Sequence, residues 1–248
     1  MHTSIRGILA ATILASGFAA APAFADETDA PSAITVTGNV ALVTDYRFRG
    51  LSLSGGDIAV QGSMNVNHSS GLYAGVWASS LEDSAIYGHT EVDVYAGWTG
   101  AVASGLTADV GLLYYVYPNG KVGDANVFEP YASVTAALGP VTAKVGGNYA
   151  WKQDSLGGDD NLYLYGELGA GIPTTPVSVS AHLGYTSGAL SPNLLTLAST
   201  DGGWDYSVGA TFAATKYLSF GVSYIGVDGN SFDGFSDDTV VGTVKLSF

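Results

Sequence analysis

The chain has 248 residues, with 8 Lys+Arg against 22 Asp+Glu for a formal net charge of −14, and 34 Gly, 15 Tyr and no cysteine. That excludes a disulfide framework and a basic nucleic-acid footprint, and it disfavours a helical bundle. A mean hydropathy of +0.25 with only 12% charged residues is high for a secreted soluble protein.

In chain order, the first element is MHTSIRGILAATILASGFAAAPAFA. Arg6, the apolar run behind it and the small-x-small site Ala23-Phe24-Ala25 make residues 1–25 a secretory signal peptide, cleaved after Ala25. A polar lead-in covers 26–33. No later window holds about 18 consecutive apolar residues, so helical spans are excluded.

From there the chain alternates with period two in about twelve segments. They lie near 34–48, 57–68, 71–80, 89–99, 105–117, 127–138, 141–152, 161–172, 177–187, 203–214, 217–227 and 238–248. Each is close to the 9–11 residues that cross a bilayer as a tilted strand. The links alternate in length. HSSG, TGAVASG, LGP, PTTP and ATKY are short, whereas LSLSGGD, LEDSAIYG, PNGKVGDAN, QDSLGGDDN, SGALSPNLLTLASTDG and DGNSFDGFSDD are longer and polar. The reading is all-β: a transmembrane antiparallel up-and-down β-barrel over 34–248, with short periplasmic turns and long extracellular loops.

Charges respect the phase of the alternation. In the fourth segment Val92, Val94, Ala96 and Trp98 take the lipid phase, leaving Glu91 and Asp93 inside. Leu162, Leu164, Leu168 and Ile172 oppose Glu167 in the eighth, and Val141, Val145, Tyr149 and Trp151 oppose Lys144 and Lys152 in the seventh. Asp109, Glu129, Asp205 and Lys245 are also predicted to face inward; only LYAGVWASS leaves its facing open. A Lys or Arg on the lipid face near the midplane costs roughly 2–4 kcal/mol.

The stretch VALVTDYRFRG holds Arg47 and Arg49, the two arginines beyond the signal peptide. Continuing the phase of Val36, Val40 and Leu42 sends Tyr46 and Phe48 outward and Asp45, Arg47 and Arg49 inward. The two aromatics would join an interfacial girdle with Tyr114, Tyr149, Trp151, Tyr185, Trp204, Tyr206 and Tyr224. The lumen set is then Asp45, Arg47, Arg49, Glu91, Asp93, Asp109, Glu129, Lys144, Glu167 and Lys245. Three uses compete: a transverse field that sets the selectivity of a narrow pore, internal ion pairs that close the lumen, or binding of lipopolysaccharide phosphates by the arginines from the rim.

At the C-terminus, Val244, Leu246 and Phe248 alternate on one face of DDTVVGTVKLSF. This resembles the signature by which assembly machinery recognises outer-membrane barrels. The stretch DYRFRGLSLSGGDIAVQGSMNVNHSSGLYAGVWASS, with EVDVYAGWTG, DVGLLYYVYPNG and FEPYAS, resembles a proteobacterial family of TorF-type porins. The resemblance covers most of 37–248 and implies an outer-membrane β-barrel in a Gram-negative bacterium.

No enzyme is expected. Ser180 and His182 share an inward face, but there is no nucleophile elbow and no His-rich metal spacing. The acidic loops around Asp159, Asp160, Asp237 and Asp238 offer oxygen ligands for calcium, but they fit no EF-hand loop and turn chemistry explains them equally well, so no cofactor or metal is assigned. The partners expected are outer-membrane lipid and lipopolysaccharide, the barrel-assembly machinery and small polar solutes, with no nucleic acid. The expected function is passive passage of those solutes; the alternative is a closed barrel with a structural, adhesive or lipid-binding role.

Overall fold

The computed structural model describes residues 33–199 and 202–248. The predicted signal peptide and the lead-in before Ala33 lie outside the described residues.

The chain runs through β1 (Ile34–Val43), a short hairpin β2 (Arg47–Phe48) and β3 (Leu51–Ser52), then β4 (Ala59–His68), β5 (Leu72–Ser84) and β6 (Gly88–Ala103). It continues through β7 (Leu106–Val116), β8 (Val127–Leu138), β9 (Val141–Ala150), β10 (Asn161–Gly171), β11 (Val177–Gly188), β12 (Gly203–Ala213), β13 (Leu218–Val227) and β14 (Thr239–Ser247). All strands except β2 and β3 form one closed twelve-stranded antiparallel barrel, in which β1 pairs with both β4 and β14. The seam is tied off at the last residue: Gly38 N–H donates to the Phe248 carbonyl at 2.8 Å, and Phe248 N–H returns the bond at 2.9 Å. A methyl on Gly38 would lie 2.8 Å from the Phe248 ring, so glycine is what lets that ring cover the seam.

Side-chain alternation sorts the two faces of the wall. On β10, Leu162, Leu164 and Leu168 are exposed while Tyr163 is buried. The same contrast runs round the barrel, with Val94 against Tyr95 and Val208 against Asp205. The LYAGVWASS strand falls into line, with Tyr73 and Ser79 buried and Leu72 and Val76 exposed. Glycine and tyrosine are abundant for a common reason. Tyr73 faces Gly97, Tyr95 faces Gly75, Tyr131 faces Gly111 and Tyr165 faces Gly146 across neighbouring strands. Any side chain on those glycines would meet the opposing ring or its hydroxyl at 2.6 Å or less.

All twelve segments correspond to barrel strands, with shifted ends. The β5–β6 hairpin is longer than the alternation implied and reaches a turn at 85–87. There the strands outlast the apolar phase, because paired backbone needs no lipid-facing side chains.

The first segment differs most. β1 stops at Val43, not at 48, and the chain turns into the barrel. Asp45 accepts from Ser52 Oγ at 2.6 Å and Ser54 Oγ at 3.1 Å. Arg49 and Gly50, at φ 49 and 85, form the two-residue turn between β2 and β3. Positive φ at both central residues gives the twist that a tight hairpin requires. Tyr46 and Phe48 therefore do not join the girdle. Tyr46 is buried with its ring centroid 5.3 Å from that of Trp77, and Phe48 meets Tyr115 edge-on at 5.8 Å. Continued strand pairing would have carried the two arginines away from the acceptors they reach here on Asp45, Glu129 and the loop of Phe235 and Asp237. The other predicted girdle residues do ring the outer wall near the long loops, in the pairs Tyr185–Trp204 and Tyr206–Tyr224 and with Tyr114 and Trp151 each stacked against Phe128.

Candidate functional site

The hairpin plugs the long-loop half of the lumen, and its arginines are held there by different partners. Arg47 pairs with Asp45 and with Asp237 Oδ1 at 3.2 Å, and it donates to the carbonyls of Gly50, Phe235 and Asp237 at 3.2, 3.2 and 2.9 Å. It thus ties the hairpin to the last long loop.

Arg49 reaches the far wall. Its Nη2 lies 2.8 Å from both carboxylate oxygens of Glu129 on β8, and its guanidinium carbon lies 4.2 Å from the Tyr163 ring centroid and 4.7 Å from that of Phe48. Glu129 also accepts from Tyr115 Oη at 2.9 Å and from Asn148 Nδ2 at 3.0 Å. Arg49 Nη1 has no hydrogen-bond partner. An isolated buried carboxylate would be very costly; here one cation and two neutral donors hold it.

More acid than cation faces this half. Glu91 and Asp93 on β6 are 0% exposed, as is Glu129. Tyr117 Oη donates to Glu91 at 3.3 Å, whereas neither oxygen of Asp93 has a hydrogen-bond partner. Burial, with Glu91 and Asp93 adding to it, raises the Tyr46 hydroxyl well above its ordinary value, so it stays protonated.

Below the hairpin the lumen is partly open to solvent. Tyr73 donates to Asp109 at 2.6 Å and its hydroxyl meets that of Tyr131 at 2.5 Å. Lys144 Nζ lies 3.8 Å from Glu167, and Lys245 faces inward from β14 with no ion pair among the described residues. Small polar side chains finish the wall, and a cavity of about 130 Å³ at the short-turn rim is lined by Thr107, Thr135 and Thr142 among others. His182 Nε2 lies 2.8 Å from Tyr163 Oη and 2.9 Å from Asp205, and its Nδ1 lies 3.5 Å from Glu167. Its ring nitrogens are thus engaged by carboxylates and a phenol. Lys152 is exposed in a loop past the end of β9. Val244, Leu246 and Phe248 are exposed on the outer face.

The structure thus brings Arg49 together with Glu129, Arg47 with Asp45, and Lys144 with Glu167, while Glu91, Asp93, Asp109 and Lys245 are in no ion pair among the described residues. Sequence reasoning missed Tyr115, Asn148, Tyr163 and Asp237 as partners. The inward phase of the strand tyrosines was readable; that Asp237 meets Arg47 was not, since 190 residues separate them.

A family model described as a bacterial protein of unknown function, Gcw_chp, matches residues 27–248. The chain belongs to the Gcw_chp family. None of the curated proteins compared with it matches. Among solved structures, this Gcw_chp chain is similar to the NanC porin in a rhombohedral crystal form, at 14% identity and a TM-score of 0.58, over 86% of this chain and 99% of that one. It is also similar to the KdgM porin in complex with disordered oligogalacturonate, at 10% identity and a TM-score of 0.56, over 86% and 98% of the respective chains. These likenesses place the fold of this chain with that of the two porins.

Proposed function

We propose that this protein is a channel of the TorF porin type in the outer membrane of a Gram-negative bacterium, passing small polar solutes passively. The observation that carries the reading is the inside-out wall: aliphatic side chains lie exposed on the outside of a closed barrel while Thr, Ser, Asn, Lys, Glu and His line its interior. Hydrocarbon outside and water inside is the setting in which that arrangement is stable. The porin fold of the two solved neighbours supports it. In this reading lipid and lipopolysaccharide contact the wall, the assembly machinery reads the strand ending in Phe248, and the signal peptide directs export.

The lumen charges would set selectivity once the hairpin is displaced, because Arg47 and Arg49 leave with it while Glu91, Asp93 and Glu129 stay on the wall. The buried hairpin favours a second reading, a closed barrel with a structural, adhesive or lipid-binding role. Planar-bilayer recordings separate the two. Wild type is expected to give rare or small steps, and a variant with 46–54 replaced by a short Gly-Ser link is expected to give large steady ones. Silence from both would leave the closed barrel. Glu91→Gln combined with Asp93→Asn is expected to lower cation preference in reversal-potential measurements on the variant lacking 46–54, and an unchanged preference would remove these charges from selectivity.

A further inference from the structure

We infer that the pocket Arg49 fills on the lumen wall is a binding site for small solutes bearing a guanidinium group, and that the hairpin is a tethered competitor for it. This deepens the channel reading and rests on it for the solute's access from outside.

The wall half of the pocket belongs to four adjacent strands: Tyr115 on β7, Glu129 on β8, Asn148 on β9 and Tyr163 on β10. Glu129 supplies the charge, Tyr115 and Asn148 orient its carboxylate, and the Tyr163 ring offers its face to a flat cation at 4.2 Å. A planar, weakly hydrated cation suits an aromatic slot beside a carboxylate better than a compact ammonium does. A metal ion fits poorly: no cluster of three His, Cys, Asp or Glu suited to a metal occurs among the described residues.

Two features make Arg49 a replaceable occupant. It meets Glu129 through Nη2 alone, leaving Nη1 buried without a partner, so its tether forgoes the two-pronged contact that carboxylates favour. It also holds φ 49, a region that non-glycine residues seldom adopt. A free guanidinium carries neither constraint. A second observation points to a cation here as well: Asp93, 0% exposed, has no hydrogen-bond partner on either oxygen, and Asp205 Oδ2 has none. The upper lumen therefore holds more carboxyl groups than its own arginines answer.

The test is calorimetric titration of the refolded full chain in detergent micelles with methylguanidinium, using methylammonium as the control. Arg49→Ala is expected to bind methylguanidinium at least about ten-fold more tightly than Arg49→Ala with Glu129→Gln, since a lost charge partner in a buried pair costs that much or more. It is expected to bind more tightly than wild type, in which Arg49 competes. Equal affinity with and without Glu129, equal affinity for methylammonium, or no binding by Arg49→Ala would overturn the site. If Arg49→Ala fails to fold, Arg49→Lys replaces it, keeping the charge but losing the flat contact. It too should bind methylguanidinium more tightly than wild type, and equal affinity would count against the site. Binding without conductance in bilayers would support the site and remove only the channel.

Discussion

At the scale of residues, the lumen is built by seating tyrosine rings on glycines of the next strand, which turns two unpromising residues for a packed core into one. Gly111 is the tightest case: an added methyl would meet both the Tyr131 ring and the backbone carbonyl of Ala96, which lies 2.7 Å away. Moving that ring would also break the chain from Tyr131 through Tyr73 to Asp109. Overpacking of this kind costs about 1–3 kcal/mol. Gly111→Ala is therefore expected to lower unfolding free energy by that amount in urea titrations in lipid vesicles. Gly171, with nothing within 4 Å of an added methyl, should tolerate alanine within about 0.5 kcal/mol. Equal losses at both positions would mean that intrinsic strand propensity, not ring seating, explains the glycines.

At the scale of elements, the hairpin is held mainly at its ends. Arg47 fastens its base to the loop carrying Asp237, and Arg49 fastens its tip to β8. Removing the base should loosen the hairpin while leaving the wall intact, because the barrel strands close on one another without it. Arg47→Ala is expected to speed amide hydrogen exchange across 46–54, with β7 and β8 unchanged; uniform exchange in wild type and variant would place the restraint elsewhere. This element is also where the sequence was hardest to read. Twelve strands and the facing of Glu91, Asp93 and Glu167 follow from local alternation and from the cost of charge in hydrocarbon, both of which act on neighbouring residues. Tyr-Arg-Phe-Arg alternates equally well as a lipid-facing strand or as a lumen hairpin. The choice depends on Glu129, 80 residues away, and on Phe235 and Asp237 near the end of the chain. The available hint was local: Gly50 after Arg49, with Ser54-Gly55-Gly56 just beyond.

At the scale of the whole molecule, the proposed membrane setting implies one inequality: ionised side chains are tolerated on the lumen surface of the sheet and not on the outer one. β11 offers a paired test. Leu183 is 51% exposed on the outer face, near the middle of its strand, and Ser180 faces the partly open lumen three residues earlier. In the proposed membrane setting, Leu183→Lys places an ammonium in hydrocarbon and is expected to cost about 2–4 kcal/mol. Ser180→Lys places the same group among water, Ser223 and the inward carboxylates, and should change stability by no more than about 0.5 kcal/mol. Two lysines of equal strand propensity would then differ by most of the transfer term, so backbone preference cannot account for the gap. The measurement is reversible unfolding in vesicles, with both variants first checked for the native barrel by gel mobility before and after boiling. Equal costs for the two substitutions would mean that water wets both surfaces, and the inside-out wall would then need a partner other than lipid to cover it.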